Sequence, residues 1–421
     1  MDYIADLHIH SKYAGACSDQ LILENLDRVA KIKGIQIIGT GDFTHPLWNK
    51  DLKGRLEETE GSGLYRLKGS NTGTRFMLTS EVSLFFGNGD AGSRVKKIHN
   101  LIFAPSLEVV DQINDRLGKY GNLASDGRPI LQLSNSDLVE MLYKADPRIM
   151  VMPSHVWTPW FGVLGAMSGF NSLEEAYGDQ VKHIYALEMG LSSDPLMNWR
   201  ISKLDKFTLL AGSDAHSLPK IGREAIVFGF DDEKVSYGSI TDAIKEKRIK
   251  MTLKFYPEEG KYHFDGHRAC NVSLSPEDAK KYGNICPRCR KQLTIGVLHR
   301  VESLADRKEG ERSATAKPFV HIIQLQDIIA YVTKKGVGTS SVSRLYDAFI
   351  KEFGTEFNVL LNADITKISE IEPEVGRAIE NVRNGRVRIT PGYDGVFGVI
   401  DILDQMPEQS KRGNQKRISE F

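Results

Sequence analysis

From residue 1 to about residue 250, short apolar runs alternate with amphipathic stretches, the pattern of repeated β-α units around a parallel sheet. The first helix is the clearest: in "SDQLILENLDRVAKIKG", Ser18 or Asp19 offers an N-cap, Ile22, Leu26, Val29 and Ala30 share one face, and Gly34 ends the helix. Strands are predicted at "IQIIGTGD", "RFMLTSEV", "KIHNLIFA", "RIMVMPSH", "HIYALEMG" and "FTLLAGSDAH"; with the strand that ends in "DLHIH" they make seven. Most are too evenly apolar for a sheet with one wet face. In nearly every one, the polar residues fitted for chemistry sit at the C-terminal end or just beyond, where an α/β barrel places its active site. The predicted fold class is therefore α/β, a seven-stranded (β/α) barrel over residues 1–250.

Around residues 251–317 the texture turns charged and cysteine-bearing, and "RVESLADRKEGERSATAKP" reads as an exposed connector. Residues 318–403 read as a helical domain built from "HIIQLQDIIAYVTKKG", "SSVSRLYDAFIKEFG" and "ADITKISEIEPEVGRAIENVRNG", with glycines closing the segments. The stretch 404–421 is polar and is expected to order only on binding.

Composition narrows the class without naming the partner. The 421 residues are 41% hydrophobic and 26% charged, with 55 Lys plus Arg against 55 Asp plus Glu, so any nucleic-acid surface must come from segregated charge. There is no signal-like N-terminus and no apolar run of about 18 residues, so a cytoplasmic protein with no membrane association is expected. Three of the four cysteines fall in "YHFDGHRACNVSLSPEDAKKYGNICPRCRK". His267-x-x-Cys270 and Cys286-x-x-Cys289 are two short-spaced soft-ligand pairs, the pattern of a zinc ribbon whose closed shell makes the ion structural. His263 is a spare candidate, and Cys17, alone, reads as a small buried hydrophobe. Arg268, Arg288, Arg290, Lys291 and Arg300 around this motif suit phosphate contacts or plain solvated charge.

The chemistry lies earlier. His8 and His10 in "DLHIH", Asp42 and His45 in "GTGDFTHP", Glu81 in "MLTSEV", His99 in "KIHN", His155 in "MPSH", and Asp214 and His216 in "GSDAH" all flank apolar runs. Neutral imidazoles with carboxylates form the donor set of zinc, manganese or iron, and barrel closure brings these distant segments to one rim. Such a site points to hydrolysis, because bound ions lower the pKa of water from about 15.7 toward 7. His183, at the start of its run, reads as structural. Asp194 in "GLSSDP" is a candidate catalytic acid or water-orienting group, or else a turn cap. Arg223 in "IGREA" is a candidate phosphate ligand or a surface ion pair.

"DLHIHS" and "SDAH" together resemble the polymerase and histidinol phosphatase (PHP) superfamily of distorted seven-stranded barrels with a trinuclear metal cluster. The resemblance implies one ion on His8, His10, Glu81 and Asp214, a second on Glu81, His99 and His155 with Glu81 bridging, and a third on His216 with residues of "GDFTH". At "GDFTH" the chain departs from the superfamily, carrying Phe43 after Asp42 where a histidine is usual, and His45 is the expected substitute. Asp6 is expected to orient ligands and not to bind an ion.

A PHP barrel followed by a zinc ribbon, a helical region and "PGYDGVFG", with "EMGLSSDPLMNWR" and "GSDAHS", is similar to the endonuclease Q branch over the whole chain. That resemblance implies a metal-dependent endodeoxyribonuclease of DNA repair. It would cut 5′ of deaminated bases (hypoxanthine, uracil, xanthine) and of abasic sites by metal-activated hydroxide, with two to three divalent ions (Zn2+, Mn2+ or Mg2+) in the barrel. Trp157, Trp160 and Phe161 in "VWTPWFGVLGAMSGFNS" are candidates to stack on an extruded base, or else to pack over the barrel mouth. Gln415, Ile418 and Phe421 in "QKRISEF" have the spacing of peptides that dock on the DNA sliding clamp. Expected partners are thus lesion-bearing DNA and the clamp, with a monomer sufficient. The competing functions are a small-molecule phosphatase of the histidinol phosphate type and a clamp-associated nucleic-acid-binding scaffold.

Overall fold

The computed structural model describes residues 1–87, 95–167, 169–230 and 235–403. Strands form at each of the predicted runs: β1 (Asp2–Asp6), β2 (Ile37–Gly39), β3 (Arg75–Phe86), β4 (Lys96–Ala104), β5 (Met150–Pro153), β6 (Ala186–Glu188) and β7 (Thr208–Leu210). β1, β2 and β3 run parallel, Ala5 opposite Ile37 and Ile37 opposite Arg75. β4 then runs antiparallel to both β3 and β5, with Ser83 opposite His99 and Asn100 opposite Pro153. β6 and β7 form a separate parallel pair. The ring closes through the loops: the Asp214 amide donates to the His8 carbonyl at 2.8 Å, and the Val156 amide to the Glu188 carbonyl at 3.0 Å.

Two features differ from a plain parallel barrel. β4 is inverted, so its beginning lies at the rim where the parallel strands end, and that is why His99 precedes its apolar run. The main sheet is also larger, joining eleven strands. β8 (Ala225–Gly229) pairs antiparallel with β1, β9 (Ile249–Lys254) antiparallel with β8, and β10 (Phe319–His321) parallel with β9. The chain therefore leaves the barrel sheet after Lys254, crosses the cysteine-bearing segment, and returns at Phe319.

The first helix spans Leu23–Lys33 and begins later than its sequence suggests. Ser18 and Asp19 do not cap it, because residues 18–22 form turns and the Ser18 amide donates to the His216 carbonyl at 2.9 Å. Gly34 ends the helix at φ 85°. Inside the barrel, Leu7, Ile37, Met77, Leu101, Met152, Ala186 and Leu210 form a plug below the rim, closed beneath by Ile240 and Ile244 of the helix Tyr237–Lys245. A larger core between sheet and outer helices includes Leu26, Ile38, Phe76, Ile102, Val151 and Leu187.

The ribbon hairpin, Asp265–His267 with Val272–Leu274, has its own small core of Val272, Ala279, Cys286 and Leu293. Helices Leu325–Thr333, Ser340–Phe353, Glu356–Leu361, Ile365–Ile371 and Pro373–Arg383 pack around Ile328, Val342, Phe349, Val375 and Ile379. Among the described residues no helix is long and apolar enough to cross a membrane.

One buried carboxylate latches this helical domain to the barrel. Glu356 accepts from Lys33 Nζ at 3.0 Å, from the Tyr346 hydroxyl at 2.8 Å and from the Leu325 amide at 3.1 Å. Glu356→Ala strands a buried ammonium and a buried hydroxyl, and is expected to destabilise the fold by about 3–5 kcal/mol. Scanning calorimetry checks this; a change below about 1 kcal/mol would show that the latch does not hold the domain.

Candidate metal centre

The C-terminal exits of β1 and β7, the middle of β3, the start of β4 and the exit of β5 meet at one point. His8, His10, Glu81 and Asp214 place one donor atom each within 4.8 Å of one another, and Glu81, His99 and His155 do the same. Glu81 belongs to both groups. Its Oε1 lies 3.1 Å from His155 Nε2, 3.3 Å from His99 Nδ1 and 3.6 Å from His8 Nε2, and its Oε2 lies 3.6 Å from His10 Nε2. Asp214 Oδ1 approaches His10 Nε2 at 3.0 Å and His8 Nε2 at 3.8 Å.

The outward nitrogens are held by other groups. His8 Nδ1 meets both oxygens of Glu188 at 2.9 Å, His10 Nδ1 meets Asp42 Oδ1 at 2.9 Å, and His155 Nδ1 meets Thr158 Oγ1 at 3.0 Å. Carboxylates behind ligating imidazoles fix tautomer and ring orientation, leaving Nε2 of His8 and His10 for the centre. Glu188 also accepts the His155 amide at 2.8 Å, tying both donor groups together. The contact between Glu188 and His8 requires Gly212, whose missing Cβ would lie 2.4 Å from Glu188 Oε1 and 2.7 Å from His8 Cβ.

The electrostatics suit cations. Burial opposes ionisation of Glu81, yet His99 and His8 outweigh it and hold its pKa well below the carboxylate range. Asp214 is likewise lowered, by His10 and His8 acting against burial. Burial disfavours charge on His10, but Asp42 and Asp214 lift it to about 9; Glu188 and Glu81 raise His8 in the same way. Burial wins at His99, which falls to about 4. His8 Nε2 is buried without a hydrogen-bond partner and faces two carboxylate oxygens, on Glu81 and Asp214, too distant to satisfy it, so a divalent cation fits this donor set. Three residues here, Asp42, His155 and Asp214, have left-handed backbone at φ 49°, 31° and 47°, strain held at a rim where chains turn out of strands.

Several sequence expectations change. Asp42 faces His10 and the Ser11 amide (2.6 Å) and stands outside both donor groups. His45 stacks on Tyr13 at 4.3 Å and does not take the place that Phe43 leaves; Phe43 itself is fully buried. His216 lies beside His10 at 4.7 Å between ring centres, with Nδ1 turned to the Asp214 carbonyl. Among the described residues Asp42, His45 and His216 form no third donor group. Asp194 caps the helix Pro195–Trp199 and pairs with His321, as its turn-cap reading expects, and it stands outside both donor groups. Trp157 is fully buried with Nε1 on Asn198, which leaves no face for a base. Arg223 donates to the Ser213 and Asp214 carbonyls and braces that turn. Trp160 is 43% exposed, edge-on to Tyr262, while Phe161 stacks on His99 at 4.4 Å. Asp6 accepts from the Ser213 and Gly222 amides, pinning the Asp214 turn, and burial raises its pKa to about 6. Gln415, Ile418 and Phe421 lie outside the described residues.

Two participants escaped the sequence. Glu188 ends the strand in "HIYALEMG", and the rule that β-strand ends carry chemistry could have found it. Arg128, whose Nη1 donates to Glu81 Oε2 at 3.2 Å, sits in a loop with no such signal.

A separate donor group, in the ribbon, is His267, Cys270, Cys286 and Cys289, again within 4.8 Å of one another, with His267 Nδ1 3.4 Å from Cys289 Sγ. Three thiols and an imidazole suit a closed tetrahedral zinc shell. His263 is buried beside Phe264 and stands outside it.

The whole chain superposes on the lesion-specific endonuclease PfuEndoQ from Pyrococcus furiosus with a TM-score of 0.84 and 31% identity, covering 100% of this chain and 99% of that one. The chain belongs to the endonuclease Q family. A structure of endonuclease Q with a 27-mer duplex carrying an abasic lesion at the active site matches at TM-score 0.82 and 32% identity over 97% of each chain. The uncharacterized protein MJ0043 of Methanocaldococcus jannaschii is 36% identical over 262 residues, 60% of this chain and 32% of that protein, so the match spans about a third of that relative's length. Family models described as "PHP-associated" and "MJ0043 C-terminal domain" match residues 200–249 and 324–386.

Removing the anion behind His8 tests the donor geometry. Glu188→Gln is expected to weaken divalent-ion binding about 10–100-fold with the fold retained. Calorimetric titration of metal-stripped protein with Mn2+ reads this; unchanged affinity would remove Glu188 from the centre.

Proposed function

We propose that the chain is a metal-dependent endodeoxyribonuclease of DNA repair that hydrolyses the phosphodiester bond 5′ of deaminated bases (hypoxanthine, uracil, xanthine) and of abasic sites. The observation that carries this reading is the pair of donor groups joined through Glu81, in a chain similar end to end to a lesion-specific endonuclease. Divalent ions seated there, Zn2+, Mn2+ or Mg2+, would supply Lewis acidity and acidify water at neutral pH. Zn2+ is the ion proposed for the ribbon, where thiolate ligands favour it.

The chain's own residues would do the rest. His8, His10, Glu81 and Asp214 hold one ion, and Glu81, His99 and His155 the other; Glu188, Asp42 and Thr158 keep the imidazoles aimed. The exposed face of Trp160 and the ring of Phe161 beside His99 are suited to stack on a nucleotide drawn out of the duplex, which costs least where a lesion weakens pairing. A phosphatase of small molecules would use the same donors but leave the ribbon and the helical domain without a task.

The deciding experiment incubates Mn2+-loaded protein with labelled duplexes carrying hypoxanthine, uracil, xanthine, an abasic site or no lesion, beside a phosphomonoester. Nicks confined to the 5′ side of lesions are expected; turnover of the phosphomonoester alone would replace this reading with the phosphatase. The tail adds a partner, with Gln415, Ile418 and Phe421 proposed to dock on a DNA sliding clamp. Deleting residues 413–421 should abolish clamp binding in surface plasmon resonance while nicking of short duplexes continues; retained binding would discard the tail as the docking element.

A further inference from the structure

Arg128 is a cation, three-quarters buried, in contact with a residue that both donor groups need. Its side chain keeps 24% of its exposure, and its Nη1 donates to Glu81 Oε2 at 3.2 Å. That oxygen is also the one facing His10 Nε2. The loop beneath it is pinned. The Gly127 amide donates to the Tyr13 carbonyl at 2.9 Å, the Ser83 amide to the Pro129 carbonyl at 3.0 Å, and the Arg128 amide to Asp126 Oδ1 at 2.9 Å. Gly127 has no room for a side chain, since a Cβ would lie 2.5 Å from Asp42 Oδ2. The backbone of Arg128 is therefore fixed beside the centre, and only its side chain is free to exchange partners.

The carboxylates around the guanidinium are Glu81, Asp214 and Asp126. Glu81 and Asp214 are donors of the first group, and Asp126 is engaged by the Arg128 and Gly15 amides. With ions held by both groups, Glu81 would be shared between them, and the first ion would compete with the guanidinium for Oε2. A guanidinium three-quarters buried that loses its carboxylate needs another oxyanion, and a phosphate bound at the centre would supply one. We propose that Arg128 is the anion clamp of the centre, exchanging Glu81 for a non-bridging oxygen of the substrate phosphate. This rests on the phosphoester reading of the site, and it makes ion and phosphate binding compete for, and then share out, one charged pair.

The test uses the full-length protein and inorganic phosphate as probe. Mn2+ is titrated calorimetrically into metal-stripped wild type, Arg128→Gln and Arg128→Lys, and phosphate binding to each Mn2+-loaded protein is then read by 31P relaxation. Arg128→Gln is expected to keep or raise Mn2+ affinity, because a competitor for Glu81 is gone, while weakening phosphate binding about tenfold or more. Arg128→Lys keeps the charge without the planar fork and should lose several-fold in phosphate affinity, which serves also if the glutamine variant does not fold. Weaker Mn2+ binding with unchanged phosphate affinity in these variants would overturn the clamp and leave Arg128 a support for Glu81. So would wild type that binds no phosphate, or variants that match it in both titrations. A protein that binds phosphate through Arg128 yet nicks no lesion duplex would sink the substrate proposal and leave the clamp standing.

Discussion

The burial of one carboxylate, Glu81, is the constraint from which the architecture follows. It sits in the middle of β3 with essentially no exposure, in a position where an uncompensated charge would cost several kcal/mol. Its compensation comes from His8, His99, His155 and Arg128, which lie on β1's exit, on β4, on β5's exit and on a separate loop. These residues meet only if the strands curl into a ring and β4 inverts. Barrel closure therefore brings Glu81 together with the groups that compensate it, and the donor groups form at that rim.

A layer of anions and turns outside the ligands fixes their aim. Glu188 serves His8 and the His155 amide, Asp42 serves His10 and the Ser11 amide, and Asp6 holds the turn that carries Asp214. The left-handed backbone at Asp42, His155 and Asp214 is retained because these contacts over-determine it. Donors set in advance cost little reorganisation when a cation arrives, which is the condition for tight binding at a buried site.

Much of this was legible in the chain because the signals were local. "DLHIH" shows two imidazoles on one strand face, "SDAH" closes the same site, and the two soft-ligand pairs around Cys270 and Cys286 declare a ribbon without any tertiary knowledge. The predicted strands all form, and so does the helical domain. What was not legible depends on which neighbour a side chain finds. Asp42 and Glu81 are both carboxylates at strand exits by sequence, yet one reaches the back of His10 and the Ser11 amide while the other reaches four imidazoles. Asp194 carries the Ser-Ser-Asp-Pro signature of a cap, and its local helix claimed it. Trp157 and Trp160 share one loop, but the indole of one finds Asn198 and the core and the other finds the surface. Arg128 lay beyond periodicity altogether, since loops carry no repeating pattern.

The ribbon, whose basic residues suit phosphate contacts or plain solvated charge by sequence, also bears mechanically on the barrel rim. The hairpin that carries His267 begins at Asp265, whose carboxylate accepts the Gly296 amide at 2.6 Å and pairs with His299. Gly296 and His299 start the helix Val297–Leu304, and one residue on, Arg300 donates to the carbonyls of Leu164 and Phe170 at 2.9 and 2.6 Å. Those carbonyls belong to the loop that presents Trp160 and Phe161, and the Phe161 carbonyl accepts the His99 amide at 3.0 Å. Hydrogen bonds joined by short stretches of backbone thus connect the hairpin of His267 to the backbone amide of His99. A ribbon that loses its ion would lose the order of its hairpin first, and with it the brace that holds the aromatic loop against the rim. An ion held by the ribbon would therefore bear on the order of the aromatic loop beside the rim.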